Sequence, residues 1–112
     1  MKAADRPTLV IDKDFKIEID ALQWIVLQRH IRKEEGTEYW TQEGFCRDLP
    51  ACLKKIVLIK SLAKQDLTSV NTYLDWYASI MHSMLDRVKR QEKVLKEAIE
   101  VNHVMASTHN FN

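Results

Sequence analysis

The chain has 112 residues, of which 46% are apolar and 29% charged, an ordinary balance for one globular domain. Seventeen basic against sixteen acidic residues leave a net charge of +1, which excludes both the strong basicity of a dedicated nucleic-acid binder and the acidity of a DNA mimic. Two glycines are too few for a phosphate-cradling loop, and no apolar run approaches a membrane span. MKAADRPTLV lacks the apolar core of a signal peptide, so the expected location is the cytoplasm.

Residues 1–7 are polar and read as a loose start, followed by a short β-rich stretch, Thr8 to Asp12. Lys13 and Asp14 suggest a turn. Phe15 to Asp20 then alternates strictly, with Phe15, Ile17 and Ile19 on one side and Lys16, Glu18 and Asp20 on the other, which predicts a strand with one wet face. Leu22 to Ile31 is apolar on both sides and rich in branched and aromatic residues, as suits a central strand covered on both faces over part of its length. Lys33 to Thr37 is a turn in which Gly36 can take positive φ. Glu38 to Cys46 returns as the second arm of a hairpin, with Gly44 marking a bulge or a close backbone approach.

The period then changes. Asp48 is a candidate N-cap and Pro50 fits a first helical turn. Leu49, Leu53, Ile56, Val57, Leu58, Ile59 and Leu62 predict a packing helix to about Ala63, with a break at Lys64-Gln65-Asp66.

From Leu67 the apolar spacing is regular. Leu67, Val70, Leu74, Tyr77, Met81, Met84, Val88, Gln91, Leu95, Ala98 and Asn102 are three and four apart in alternation, with no Pro or Gly among them. A continuous helix over residues 67–102 would be about 54 Å long, too long for a small sheet to cover. The expectation is two units within one domain: sheet and first helix over 1–66, then a coiled-coil-like helix and tail over 67–112. The first half of that helix, with Tyr73, Trp76, Ile80 and Leu85 off the seam, would pack on the sheet and first helix. The second half, charged outside the seam, would project and pair with a second copy. The dimerisation residues are then Met81, Met84, Val88, Gln91, Leu95, Ala98 and Asn102. The competing arrangement is a break near Arg87–Arg90 that folds the helix back within the monomer; the absence of a breaking residue favours the continuous rod.

Little in the sequence supports catalysis. Cys46 and Cys52, with His30, His82, His103 and His109, form no metal-ligand spacing, and the thiols read as free apolar groups. Glu18 and Asp20 share a polar strand face that is more simply solvated, and no serine sits in a nucleophile elbow. No cofactor is expected. Basic residues do cluster: Arg29, His30, Arg32 and Lys33 at the hairpin, and Lys54, Lys55, Lys60 and Lys64 on the first helix. With Tyr39 or Trp40 exposed on the same face, they could meet DNA or RNA directly.

The run F-K-I-E-I-D-A-L-Q-W-I-V, a charged turn with Gly36, and Y-W-T-Q-E-G-F-C-R-D-L-P-A-C-L-K-K-I resembles small phage and prophage accessory proteins with a strand–hairpin–helix unit. The likeness covers about 45 residues and carries no catalytic positions with it. Its layout is also similar to small DNA-binding domains of the integrase-arm type. The phage resemblance implies a non-enzymatic protein working by binding in the host cytoplasm: regulating a host enzyme, inhibiting a host protein or nucleoprotein complex such as a defence nuclease (in the manner of anti-CRISPR proteins), or assisting replication. The expected fold is α+β, a small antiparallel sheet of three or four strands, one packing helix and a long helix. The expected partner-binding residues are Arg29, Arg32, Lys33, Tyr39 and Trp40.

Overall fold

The computed structural model describes residues 6–20, 22–64 and 68–109. Four strands, β1 (Thr8–Val10), β2 (Phe15–Ile19), β3 (Trp24–Ile31) and β4 (Glu38–Cys46), are followed by three helices, α1 (Leu49–Ala63), α2 (Val70–Arg90) and α3 (Glu92–His109). The strands form one antiparallel meander in chain order. The fold is therefore α+β, as the change of hydrophobic period from two to 3.6 predicts.

Short side chains shape the turns. Asp12 Oδ1 accepts from the backbone N–H of Asp14 and Phe15, and Asp20 Oδ1 accepts from those of Leu22 and Gln23. Both are Asx-type turns, in which a carboxylate replaces a missing backbone acceptor. Gly36 takes φ 69°, the left-handed conformation that lets Arg32 and Thr37 close the β3–β4 hairpin. A register shift between Val26 and Leu27 leaves Glu43 as the extra residue of a bulge beside Gly44, and the Lys55 stem packs against Gly44.

Antiparallel register assigns the two sheet faces. Leu9, Phe15, Ile17, Ile19, Trp24 and Val26 share the inner face and join Cys52, Leu53, Ile56 and Val57 of α1 in one core. Asp48 caps α1 through Ala51 N–H. Lys16, Glu18, Ile25, Leu27, Arg29 and Ile31 share the outer face with Trp40 and Phe45. Ile25 and Leu27 are nonetheless buried. The Lys16 stem reaches from its place opposite Leu27 to bring Nζ 4.2 Å from the Trp40 ring, so a charged residue covers apolar surface.

The long-helix expectation is corrected. The helix is interrupted at Gln91, one residue beyond the window of the competing arrangement. Gln91 N–H bonds to Val88 O, one residue short of the α-helical partner, and the freed Arg87 carbonyl accepts instead from Gln91 Nε2. A side chain inserted into the hydrogen-bond ladder is a recognised cause of a kink. Helix α3 then lies against β1 and β2.

The second half packs instead of projecting, and the first half packs as expected from Trp76 onward but not before it. Met84, Val88 and Ala98 are buried in the core of their own chain, and Met81, Val94 and Leu95 pack against it. Residues 68–75 are all exposed, Val70 at 74% and Leu74 at 55%. The physical reason is the kink: it lays the second half of the seam along the short β1 edge, while only the start of α2, up to residue 75, is left uncovered. Asn102 lies in α3 with its side chain outside the described residues, as do Leu67 and the expected boundary between residues 66 and 67.

Candidate functional site

The structure does not unite the basic residues expected to form a partner surface. Arg29 and Trp40 are cross-strand partners on the outer face, whereas Tyr39, opposite His30, is on the inner face. Arg29 is held by neighbours: Nε donates to Lys13 O at 2.9 Å, and its guanidinium nitrogens meet Asp14 at 3.1 Å and Glu38 at 3.3 Å. The hydrogen bond it donates to Asp14 holds the guanidinium even more firmly protonated than usual, with Glu38 adding to the effect. The charge of Arg29 is thus committed to joining the β1–β2 turn to the hairpin. Arg32 and Lys33 are exposed at the hairpin tip, where the Arg32 guanidinium lies 5.2 Å from the Tyr39 ring and Tyr39 stacks on His30. Trp40 is only half-exposed, under Lys16.

On α1, Lys60 bonds to Asp12 at 2.6 Å and sits over Phe15. The charge of Lys60 is therefore committed to Asp12 and Phe15, not to the hairpin aromatics.

A polar trio on the inner face of the hairpin escapes sequence reading, because the bulge places it. Thr41 Oγ1 donates to Glu43 and lies 2.9 Å from His30 Nε2. With the hydroxyl hydrogen committed to Glu43, His30 Nε2 donates to Thr41. Nucleophile activation requires the reverse, a hydroxyl donating to the histidine. Among the described residues no group of three or more His, Cys, Asp or Glu could hold a metal ion, and no described helix is long and apolar enough to cross a membrane.

The most distinctive surface lies elsewhere, where α1 ends and α2 begins. Leu58 and Leu62 are exposed on α1, and Val70, Tyr73 and Leu74 on α2. Tyr73 contacts Trp76 and Tyr77 at ring-centroid distances of 6.1 and 6.4 Å. Trp76 and Ile80 line an open groove of about 370 Å³ with Phe15, Gln28, Ile59 and Lys60. Trp76 and Ile80 pack against the core as the sequence predicts, whereas Val70, Tyr73 and Leu74 stay exposed. Ser69 caps α2 through Thr72 N–H, so this first turn is a defined helix start rather than a frayed end.

Comparison with known proteins gives no match: no family model, no curated protein and no solved structure is significantly similar to this chain.

Proposed function

We propose that the protein is a non-catalytic interaction protein, a phage-type accessory or inhibitor that binds a host protein, or the protein part of a nucleoprotein complex such as a defence nuclease, through the α1–α2 surface. The observation that carries this reading is the exposed set Val70, Tyr73 and Leu74, spaced i, i+3 and i+4 at the start of α2 and continued at i+7 by the half-buried Tyr77. That spacing is the grip of a helix seated in an apolar groove. Tyr and Trp are the residues that most often dominate binding energy, and Tyr73, Trp76 and Tyr77 form one contiguous cluster here. Helix α1 carries Lys54, Lys55, Lys60 and Lys64, of which Lys60 is already paired with Asp12 and the Lys55 stem lies against Gly44. The partner that fits is a protein presenting an apolar groove.

The test uses a partner identified by capture from the host and then purified. Leu74→Glu and Tyr73→Ala should each weaken binding at least tenfold, while thermal unfolding stays unchanged because both positions are exposed. Binding that survives both substitutions refutes the reading.

A second reading, direct DNA or RNA binding, is supported by one observation, the exposed Arg32 and Lys33 beside Tyr39 at the hairpin tip. It requires a salt-dependent gel shift that Arg32→Ala and Lys33→Ala weaken; absence of binding at low salt removes it.

A further inference from the structure

The sheet has two edges, and they are treated differently. At the β1 edge the outward N–H and C=O of Val10 are both bonded to the Gln91 side chain. Among the described residues the β4 edge has no such cap. Arg32 N–H donates to Thr37 O, and Arg29 N–H donates to Asp14 O, away from β4. In an antiparallel ladder bonded and non-bonded pairs alternate, so with the observed register His30–Tyr39 and Gln28–Thr41 are bonded pairs. The backbone groups of Glu38, Trp40 and Gln42 therefore point outward, and among the described residues nothing bonds to them. The bulge at Glu43 then breaks the alternation, so Glu38–Gln42 is the regular stretch of this edge.

We propose that a second copy of this chain adds to the sheet along Glu38–Gln42, antiparallel and centred on Trp40, making one continuous eight-stranded sheet. The stretch is its own complement. Centred on Trp40, the twofold pairs Trp40 with Trp40 of the second copy and Glu38 with its Gln42. All three outward residues then face outward residues, giving six main-chain hydrogen bonds. Centring on Tyr39 or Thr41 leaves one outward residue of each chain unmatched and gives four. The preferred register opposes no like charges, since Glu38 meets Gln42. Glu38–Gln42 contains no Pro or Lys, the usual guards of an exposed edge, and two of its residues are aromatic. This surface is separate from the α1–α2 stripe and does not rest on it.

The register is tested by charge at one exposed position. The mass of the full chain is followed against concentration by sedimentation for the wild type, Gln42→Glu and Gln42→Lys. Glutamate at 42 faces Glu38 of the second copy twice over, and lysine makes two attractive pairs instead. Gln42→Glu should loosen the dimer and Gln42→Lys tighten it, each by roughly two- to thirty-fold, with unchanged thermal unfolding at low concentration. A chain that stays monomeric up to its solubility limit overturns the proposal. So does a dimer that is indifferent to both substitutions but broken by Leu74→Glu, which assigns self-association to the helical surface.

Discussion

Gln91 pairs with Val10 as a neighbouring strand would, its Oε1 accepting from Val10 N–H at 2.8 Å and its Nε2 donating to Val10 O at 2.7 Å. The same nitrogen bonds to Arg87 O at 3.0 Å, so one side chain caps the β1 edge and fills the gap in the helix that its own kink creates. Edge capping, kink and core burial of α3 are thus a single arrangement.

Gln91→Ala should therefore lower stability by about 1–3 kcal/mol, two or three hydrogen bonds of modest net worth in a partly solvated setting. Gln91→Glu should do no better, because it keeps the acceptor for Val10 N–H and sets a second oxygen against Val10 O. Urea unfolding followed by circular dichroism measures both; unchanged midpoints would contradict the capping role.

Arg29 separates structural from binding arginines in the hairpin. Its fork reaches Lys13 O, Asp14 and Glu38 together, a geometry that lysine cannot reproduce. Arg29→Lys should lower the unfolding midpoint, and Arg32→Lys, at an exposed tip position, should not. Equal effects from the two would mean that the network around Arg29 contributes nothing special.

Cys52 supplies a pH dependence. Burial pushes its thiol well above the ordinary range, with Cys46 and Asp48 adding to the shift. Below about pH 9 the thiol is protonated in both folded and unfolded chains, and its contribution to stability is fully present. As pH rises further the unfolded chain loses the proton and the folded chain keeps it. Stability therefore falls, by at most about 1.4 kcal/mol per pH unit from this group. The difference in unfolding free energy between wild type and Cys52→Ala, taken from pH 8 to 10.5, isolates this slope from the lysines and tyrosines. Cys46, half-exposed, should react with a thiol reagent in the native protein, and Cys52 only on unfolding.

Much of the fold is legible in local pattern. The strict alternation of Phe15 to Ile19 gives a strand with one buried side, and the doubly apolar Trp24 to Leu27 gives the central strand, buried throughout. Asp48 and Pro50 mark the start of α1, and Gly44 flags the bulge. The break at Gln91 is not legible, because glutamine is compatible with a helix. What makes it break is the backbone of Val10, 81 residues away in the chain. The same limit hid that the second half is covered and the start of α2 is not. A stripe of apolar residues records which side of a helix avoids water, not which surface covers it. Met84 and Val70 are equivalent in pattern and opposite in burial. The hairpin site was misjudged for a related reason: Tyr39 and Trp40 are adjacent in sequence and therefore on opposite sheet faces.

The division of the seam into a buried half and a free half is best tested by one substitution made at two sites. Val88 is 3% exposed and Val70 is 74% exposed. Val88→Ala should cost about 2–3 kcal/mol in urea unfolding, the lost methyl groups plus the cavity left behind, and Val70→Ala less than about 0.5 kcal/mol. A larger loss at Val70 than at Val88 would mean that the projecting half is the packed one, and the partner surface assigned to it would be wrong.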